Sequence, residues 1–268
     1  ASFGVPPAVS AVLLFILIAV VILGGVSRIG SVSGRLVPFM SLIYIVCSLI
    51  VIIIHIDKVP GVFATIFHDA FTGSAAAGGF AGSTVMLALQ MGVARGIFSN
   101  EAGLGSAAMA HATATTDDHV AMGYVGMLGP FIDTIIICTM TGLAILCSGL
   151  WSVEGALSGA PLTAAAFESA LPGIGSTMVS LCLAMFAFST ILGWCVYSER
   201  CWIYLLGDRA LKPFRIIFVC VVPVGALMTL DLVWDIADVL NALMAVPNLI
   251  GLLLLSPVIF KLSHEYDR

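Results

Sequence analysis

Apolar residues fall in long blocks with little alternation, and a short polar segment bounds each block. The blocks cover residues 9–25, 36–56, 121–146, 176–197, 214–228 and 232–260. A hydrocarbon core about 30 Å thick needs about 20 helical residues, so each block predicts a membrane-spanning helix. One further stretch, residues 78–116 (GGFAGSTVMLALQMGVARGIFSNEAGLGSAAMAHATATT), is apolar enough to enter a membrane but too long for one simple span. It carries Arg95, Asn100 and Glu101 in its middle and glycine at Gly92, Gly96, Gly103 and Gly105. This pattern predicts a helix that enters, breaks around Gly92 to Asn100 near the midplane, and leaves as a second half. A break frees backbone amides and carbonyls, which lipid tolerates only where protein or a polar cavity satisfies them. Transporters build substrate and ion sites in this way. The expected fold is all-α, a polytopic membrane protein of about seven transmembrane helices with one of them broken, forming a single transmembrane domain over residues 1–268.

The connections are short and polar, with two exceptions. HIDKVPGVFATIFHDAFTGSAAA holds an amphipathic piece suited to the membrane interface, and SGLWSVEGALSGAPLTAAAFESALPG holds a short interfacial helix. Composition agrees with the pattern: 60% of residues are hydrophobic and 9% charged, against about 25% charged in soluble domains. The net charge of −5 comes with no basic surface or motif for nucleic acid. The seven cysteines show no CxxC and no metal-like spacing, and read as small apolar fillers. No HExxH and no GxSxG point to an enzyme. A channel would repeat a pore element, and a retinal receptor would carry a lysine in its last span; neither feature is present. The chain starts at Ala1 with no n-region before its first apolar block, so the expectation is a part of a longer protein.

Cations set the expected orientation. With seven spans, Arg28, Arg35, Arg200, Arg209, Lys212, Arg215, Lys261 and Arg268 all fall on one side, and Lys58 alone on the other. That places the C-terminus in the cytoplasm.

Polar groups inside spans are costly and so informative. Arg95 and Glu101 flank the expected break, and Asp133 in the fourth span is a candidate partner for Arg95. These three charges are either a structural ion-pair set or coupling charges, and Glu101 and Asp133 are the carriers to consider if protons drive transport. Ser99 and Asn100 are the better binding candidates. An amide near a break, with free backbone amides, suits an anionic group such as an amino-acid carboxylate. Freed carbonyls suit an ammonium or small cation. Gly92 and Gly96 either let a ligand approach the backbone or serve close helix packing. Phe98 could wall the pocket or simply pack, and Gln90, Thr134, Thr139, Thr141 and Asn241 are weaker candidates. Ser189 and Thr190 lie mid-span, either bonding back to their own helix or offering hard oxygens to Na⁺.

GVARGIFSNEAGLGSAAMAHATATTDDHV closely resembles the signature of the alanine or glycine:cation symporter family. GGVSRIGSVSGRLVPFM before it and FIDTIIICTMTGLAIL after it are similar to the same family, and the resemblance runs along essentially the whole chain. It implies a leucine-transporter-type fold of two inverted repeats of five helices, with the spans here matching core helices four to ten. The broken segment is then core helix six. The span with Ser189 and Thr190 is core helix eight, which with the Phe186 carbonyl implies a sodium site. Core helix one, which supplies half of both sites in that fold, has no counterpart in the chain. The resemblance implies Na⁺-coupled symport of a small neutral amino acid in the cell inner membrane, with Gln90, Gly92, Gly96, Phe98, Ser99 and Asn100 toward the substrate. It implies no cofactor besides the coupling ion, and leaves the oligomeric state open.

Overall fold

The computed structural model describes residues 4–72, 81–152 and 157–266. Among these there is no strand, and the helices are α1 (Pro7–Ile22), α2 (Val26–Ile54), α3 (Val59–Thr72), α4 (Ala81–Asn100), α5 (Ser106–His111), α6 (His119–Pro130), α7 (Thr139–Ser148), α8 (Ala160–Ala170), α9 (Gly175–Leu206), α10 (Leu211–Leu227) and α11 (Leu230–Tyr266). A π-helix, Phe131–Cys138, joins α6 to α7, so residues 119–148 form one continuous rod. Among the described residues, five helices are long and apolar enough to cross a membrane, and α1 is a shorter apolar one. The chain is an all-α polytopic membrane protein. Its helices present large apolar side chains outward, such as Leu243, Leu253 and Phe260 on α11, which has no buried residue at all.

Three expectations shift. The polar segment SRIGSVSGR, read as a loop, is the first part of α2. Its glycines and serines lower helix propensity only modestly, and the real turn is at Gly24–Gly25, where Gly25 takes φ +89°. The break in the long third segment lies at residues 101–105, not around Gly92 to Asn100: α4 runs unbroken through Gly92, Gly96 and Asn100. Helix interiors in membranes accept glycine readily; only the left-handed backbone beyond residue 100 ends this one. The last span is 37 residues long and takes in most of the polar tail. Residues 78–80 of the broken segment, 153–156 of the interfacial connection, and Arg268 lie outside the described residues.

The described chain falls into two compact units. The first comprises residues 1–56 and 140–233. Its core gathers Ile18 and Ile22 of α1, Ile29 of α2, Leu192 and Cys195 of α9, and Phe214 and Val219 of α10. A second buried focus is Tyr44 of α2. Its hydroxyl lies 2.6 Å from Thr141 Oγ1, its ring stacks on Phe167 of α8 and meets Phe186 of α9 edge-on. The α8–α9 corner is tight: a Cβ on Gly175 would fall 2.3 Å from the Phe167 carbonyl oxygen.

Glu168 fastens that corner. Its carboxylate accepts from the Ser176 N–H at 2.8 Å, an amide that the start of α9 leaves without a helical partner, and from the Gly173 N–H just before that helix at 2.5 Å. Those bonds, Ser176 first, hold the Glu168 carboxyl below the ordinary glutamate range. A lowered carboxyl pKa stabilises the folded form above the unfolded-state pKa, and this contribution is lost as pH falls through the folded value. Glu168→Gln is therefore expected to flatten the acid limb of the thermal-stability profile below about pH 4.3 and to leave the profile above pH 6 parallel to wild type. An unchanged acid limb would remove this role.

The second unit comprises residues 57–139 and 234–268. It holds α3, α4, α5, α6, the π-helix and most of α11. The Asp118 carboxylate caps α6 by accepting from the Val120 and Ala121 N–H groups at 3.0 and 2.9 Å. Pro130 sits at the C-terminal end of α6. Proline removes a ladder donor and its ring displaces the preceding turn, and the helix beyond it widens to the π form. Such wide turns recur at functional sites.

Candidate functional site

The end of α4 is built as a Schellman turn. The Ala102 N–H donates to the Ile97 carbonyl at 3.2 Å and the Glu101 N–H to the Phe98 carbonyl at 3.4 Å, the two crossed bonds that define the motif. The turn requires a left-handed residue, and Glu101 supplies it at φ +52° where glycine is usual. Gly103 and Gly105 follow at φ +75° and +82°, and a Cβ on Gly105 would fall 2.8 Å from Asn248 Oδ1. Three left-handed residues within five stop the helix and restart it at Ser106. Glu101 bridges the gap: its Oε2 accepts from the fully buried Ser106 hydroxyl at 2.7 Å. Among the described residues, no backbone N–H reaches the carbonyls of Ser99 and Asn100.

The π-helix lies against this end of α4 and pairs with it twice. Ser99 Oγ donates to Asp133 Oδ2. Thr134 Oγ1 donates to Asn100 Oδ1 at 2.7 Å. Two adjacent residues on one helix thus meet two adjacent residues on the other. The cluster offers one carboxylate, one amide, two hydroxyls and two free carbonyls within a turn. That donor set can hold a small cation beside an amino-acid headgroup.

Arg95, one turn earlier on α4, turns toward α11. Its Nη2 donates to Asp238 Oδ2 at 2.7 Å, its guanidinium lies 4.1 Å from the centre of the Trp234 ring, and Phe98 meets the same ring edge-on at 5.4 Å. Beside this pair runs a groove of about 500 Å³ lined by Gln90, Val93, Ala94, Ile97, Asp238 and Asn241, among others. A Cβ on Gly92 or Gly96 would meet nothing within 4 Å, so neither glycine serves close packing among the described residues.

The structure therefore redistributes the charges read from the sequence. Asp133 takes Ser99 and not Arg95; Arg95 takes Asp238; Glu101 takes Ser106 across the break. Trp234 and Asp238 are the residues that the sequence reading missed. The signal was present: Trp234, Asp238 and Asn241 fall at i, i+4 and i+7, one face of the last span. In the first unit, Ser189 Oγ donates to the Phe186 carbonyl at 2.9 Å, so two of the expected sodium ligands bond each other, while Thr190 is exposed. Among the described residues no group of three or more His, Cys, Asp or Glu side chains could hold a metal ion.

A chain of this kind, with long apolar helices, is an integral membrane protein. A sequence model of the sodium:alanine symporter family matches residues 1–268, and the chain belongs to that family, whose members are transporters and not enzymes. It is 47% identical over 269 residues to the sodium/alanine symporter AgcS of Methanococcus maripaludis, covering 100% of this chain and 58% of that protein. It is 47% identical over 266 residues to an uncharacterized transporter of Haemophilus influenzae, covering 99% of this chain and 58% of that one. It is 37% identical over 268 residues to the probable sodium/glutamine symporter GlnT of Bacillus subtilis, covering 100% and 55%. The chain spans a little over half the length of these relatives.

Proposed function

We propose that the chain is part of a secondary transporter that couples inward movement of a small neutral amino acid, alanine before glycine, to Na⁺ by alternating access. The observation that carries this reading is the paired cluster of Ser99, Asn100, Asp133 and Thr134 at the end of an interrupted membrane helix. Na⁺ and substrate are cargo, and no resident cofactor is assigned. Asn100, with the free Ser99 and Asn100 carbonyls, addresses the ammonium or carboxylate of the substrate. Asp133, held by the Ser99 hydroxyl, supplies negative charge for a cation. Ser189, Thr190 and the Phe186 carbonyl are the second cation position, reached once the Ser189 hydroxyl turns off that carbonyl. Family membership and the printed name of the Methanococcus maripaludis relative support alanine with Na⁺; the glutamine symporter among the relatives marks the competing substrate. The wider assignment, core helices four to ten of a leucine-transporter-type fold in the cell inner membrane with a cytoplasmic C-terminus, belongs to the same proposal.

A Na⁺ gradient drives uptake only if both ligands favour the same states. Liposomes holding the full-length protein are expected to accumulate alanine when Na⁺ is imposed outside, and not when a pH gradient alone is imposed. Uptake driven by the pH gradient without Na⁺ would replace sodium coupling by proton coupling. Ser189→Ala with Thr190→Ala is expected to raise the Na⁺ concentration for half-maximal uptake about tenfold, roughly the loss of one hydrogen-bond-scale interaction. An unchanged Na⁺ dependence would strike those residues from the site.

A further inference from the structure

One end of the first unit collects cations that the transport cycle does not use. Arg28 and Arg35 lie on α2, seven residues apart and so on one face, about 10 Å along the axis. Arg200 lies near the end of α9, Arg209 in the link to α10, and Lys212 in the first turn of α10. All five are exposed. Arg28 Nη1 donates to the Val20 carbonyl at 3.1 Å; among the described residues none of the five has a carboxylate within 4 Å. The acidic residue exposed among them is Asp208.

Packing brings these segments to the same place. Arg215 of α10 makes a two-point ion pair with Glu199 of α9, at 2.7 and 3.0 Å, with Glu199 nearly fully buried. The same guanidinium stands 3.6 Å from where a Cβ on Gly25 would be, at the α1–α2 turn. Ile22, Ile29, Cys195 and Phe214 share one core cluster. The Arg215–Glu199 pair thus ties α9 and α10 to the α1–α2 turn, and Arg28, Arg200, Arg209 and Lys212, each within six residues of Gly25, Glu199 or Arg215, make a cationic rim about that junction.

Helix length sets the depth. α2 has 29 residues and α9 has 32, about 43 and 48 Å of helix, against a hydrocarbon core of about 30 Å. Both helices therefore extend beyond the hydrocarbon. Trp202 packs on Phe214 with ring centres 5.6 Å apart, while Tyr204 is 89% and Leu205 75% exposed. Aromatic side chains with basic neighbours at helix ends match the headgroup zone.

We propose that this rim is a docking site for anionic phospholipid headgroups of the adjoining leaflet, with Arg28, Arg200, Arg209 and Lys212 on the phosphates and Tyr204 and Leu205 in the acyl boundary. Clustered juxtamembrane cations each add attraction to anionic lipid. Bound lipid would tie the α1–α2 turn to the α9–α10 hairpin.

The test uses the full-length protein purified in detergent and probed with fluorescent phosphatidylglycerol and phosphatidylcholine. Phosphatidylglycerol is expected to bind at least tenfold more tightly than phosphatidylcholine, and to lose about tenfold between 0.1 and 0.5 M NaCl as screening sets in. Arg200→Gln with Arg209→Gln and Lys212→Gln is expected to abolish that preference, and Arg200→Lys with Arg209→Lys to retain it. Equal binding of the two lipids by wild type, or a preference insensitive to salt, would overturn the proposal whether or not the glutamine variant folds. Full competition by millimolar inorganic phosphate would also overturn it, by assigning the rim to a soluble anion. The assay reads lipid binding and not uptake, so its failure is separable from failure of the transport reading.

Discussion

Asn100→Ala in the full-length protein is expected to lower Na⁺-driven alanine uptake about 100-fold while surface expression stays normal. Asn100 is the last residue of α4, and its carbonyl and that of Ser99 face the break without a backbone donor. Its side-chain oxygen accepts the Thr134 hydroxyl at 2.7 Å. Truncation removes an amide that can both donate and accept, and it leaves Thr134 without its partner. A hydrogen bond to a charged group is worth about 1.5–3 kcal/mol, and each 1.4 kcal/mol is about tenfold, so loss of one substrate contact accounts for the expected drop. Thr134→Val separates positioning from contact: it frees the Asn100 amide without removing it, and uptake is expected to fall about tenfold, the cost of a loosened orientation. The assay is radiolabelled alanine uptake normalised to protein in the membrane. Wild-type uptake by Asn100→Ala would take the residue out of the site. Equal losses in both variants would make its role that of a strut for the π-helix.

Long apolar blocks made the all-α membrane fold and the interrupted segment legible, because lipid leaves a chain few alternatives to helix. The residue at which the interruption falls was not legible. Gly92 and Gly96 mark a possible break as well as Gly103 and Gly105 do, and only the folded backbone shows which pair takes positive φ. Glu101 hides the turn further, since a left-handed glutamate has no sequence signature. The site was half legible. Ser99, Asn100 and Asp133 stand out as polar groups in apolar surroundings, and the structure does gather them. Partner choice depends on how far each helix is rotated, which the number of intervening residues does not fix. The wide turn of the π-helix presents Asp133 and Thr134 together to α4, a geometry that regular helical periodicity does not place. Asp238 was readable as a charge in the last span, yet nothing in the sequence attached it to Arg95, 143 residues away.

That attachment yields a second large effect, with an asymmetry that tests it. Arg95→Ala is expected to lower the thermal unfolding midpoint of the purified protein by several degrees, and Asp238→Ala by less. Each single change leaves one charge alone in a membrane helix, and a lone Arg or Asp at mid-helix costs roughly 2.5–3.5 kcal/mol. Arg95, however, keeps the face of Trp234 at 4.1 Å when Asp238 is gone, and a cation over an indole retains about 0.5–2 kcal/mol. Asp238 has no such second partner among the described residues. The double change Arg95→Ala with Asp238→Ala removes both charges and is expected to recover most of the loss, because the cost of a broken internal pair is mainly the stranded partner. The pair is partly open, with side-chain exposures of 36% and 41%. If that opening faces bulk water, each charge is hydrated when alone and the pair is worth only about 0–1 kcal/mol. Singles indistinguishable from wild type would therefore place the groove in water, and a double variant as unstable as Arg95→Ala would show that the guanidinium acts through Trp234 and not through Asp238.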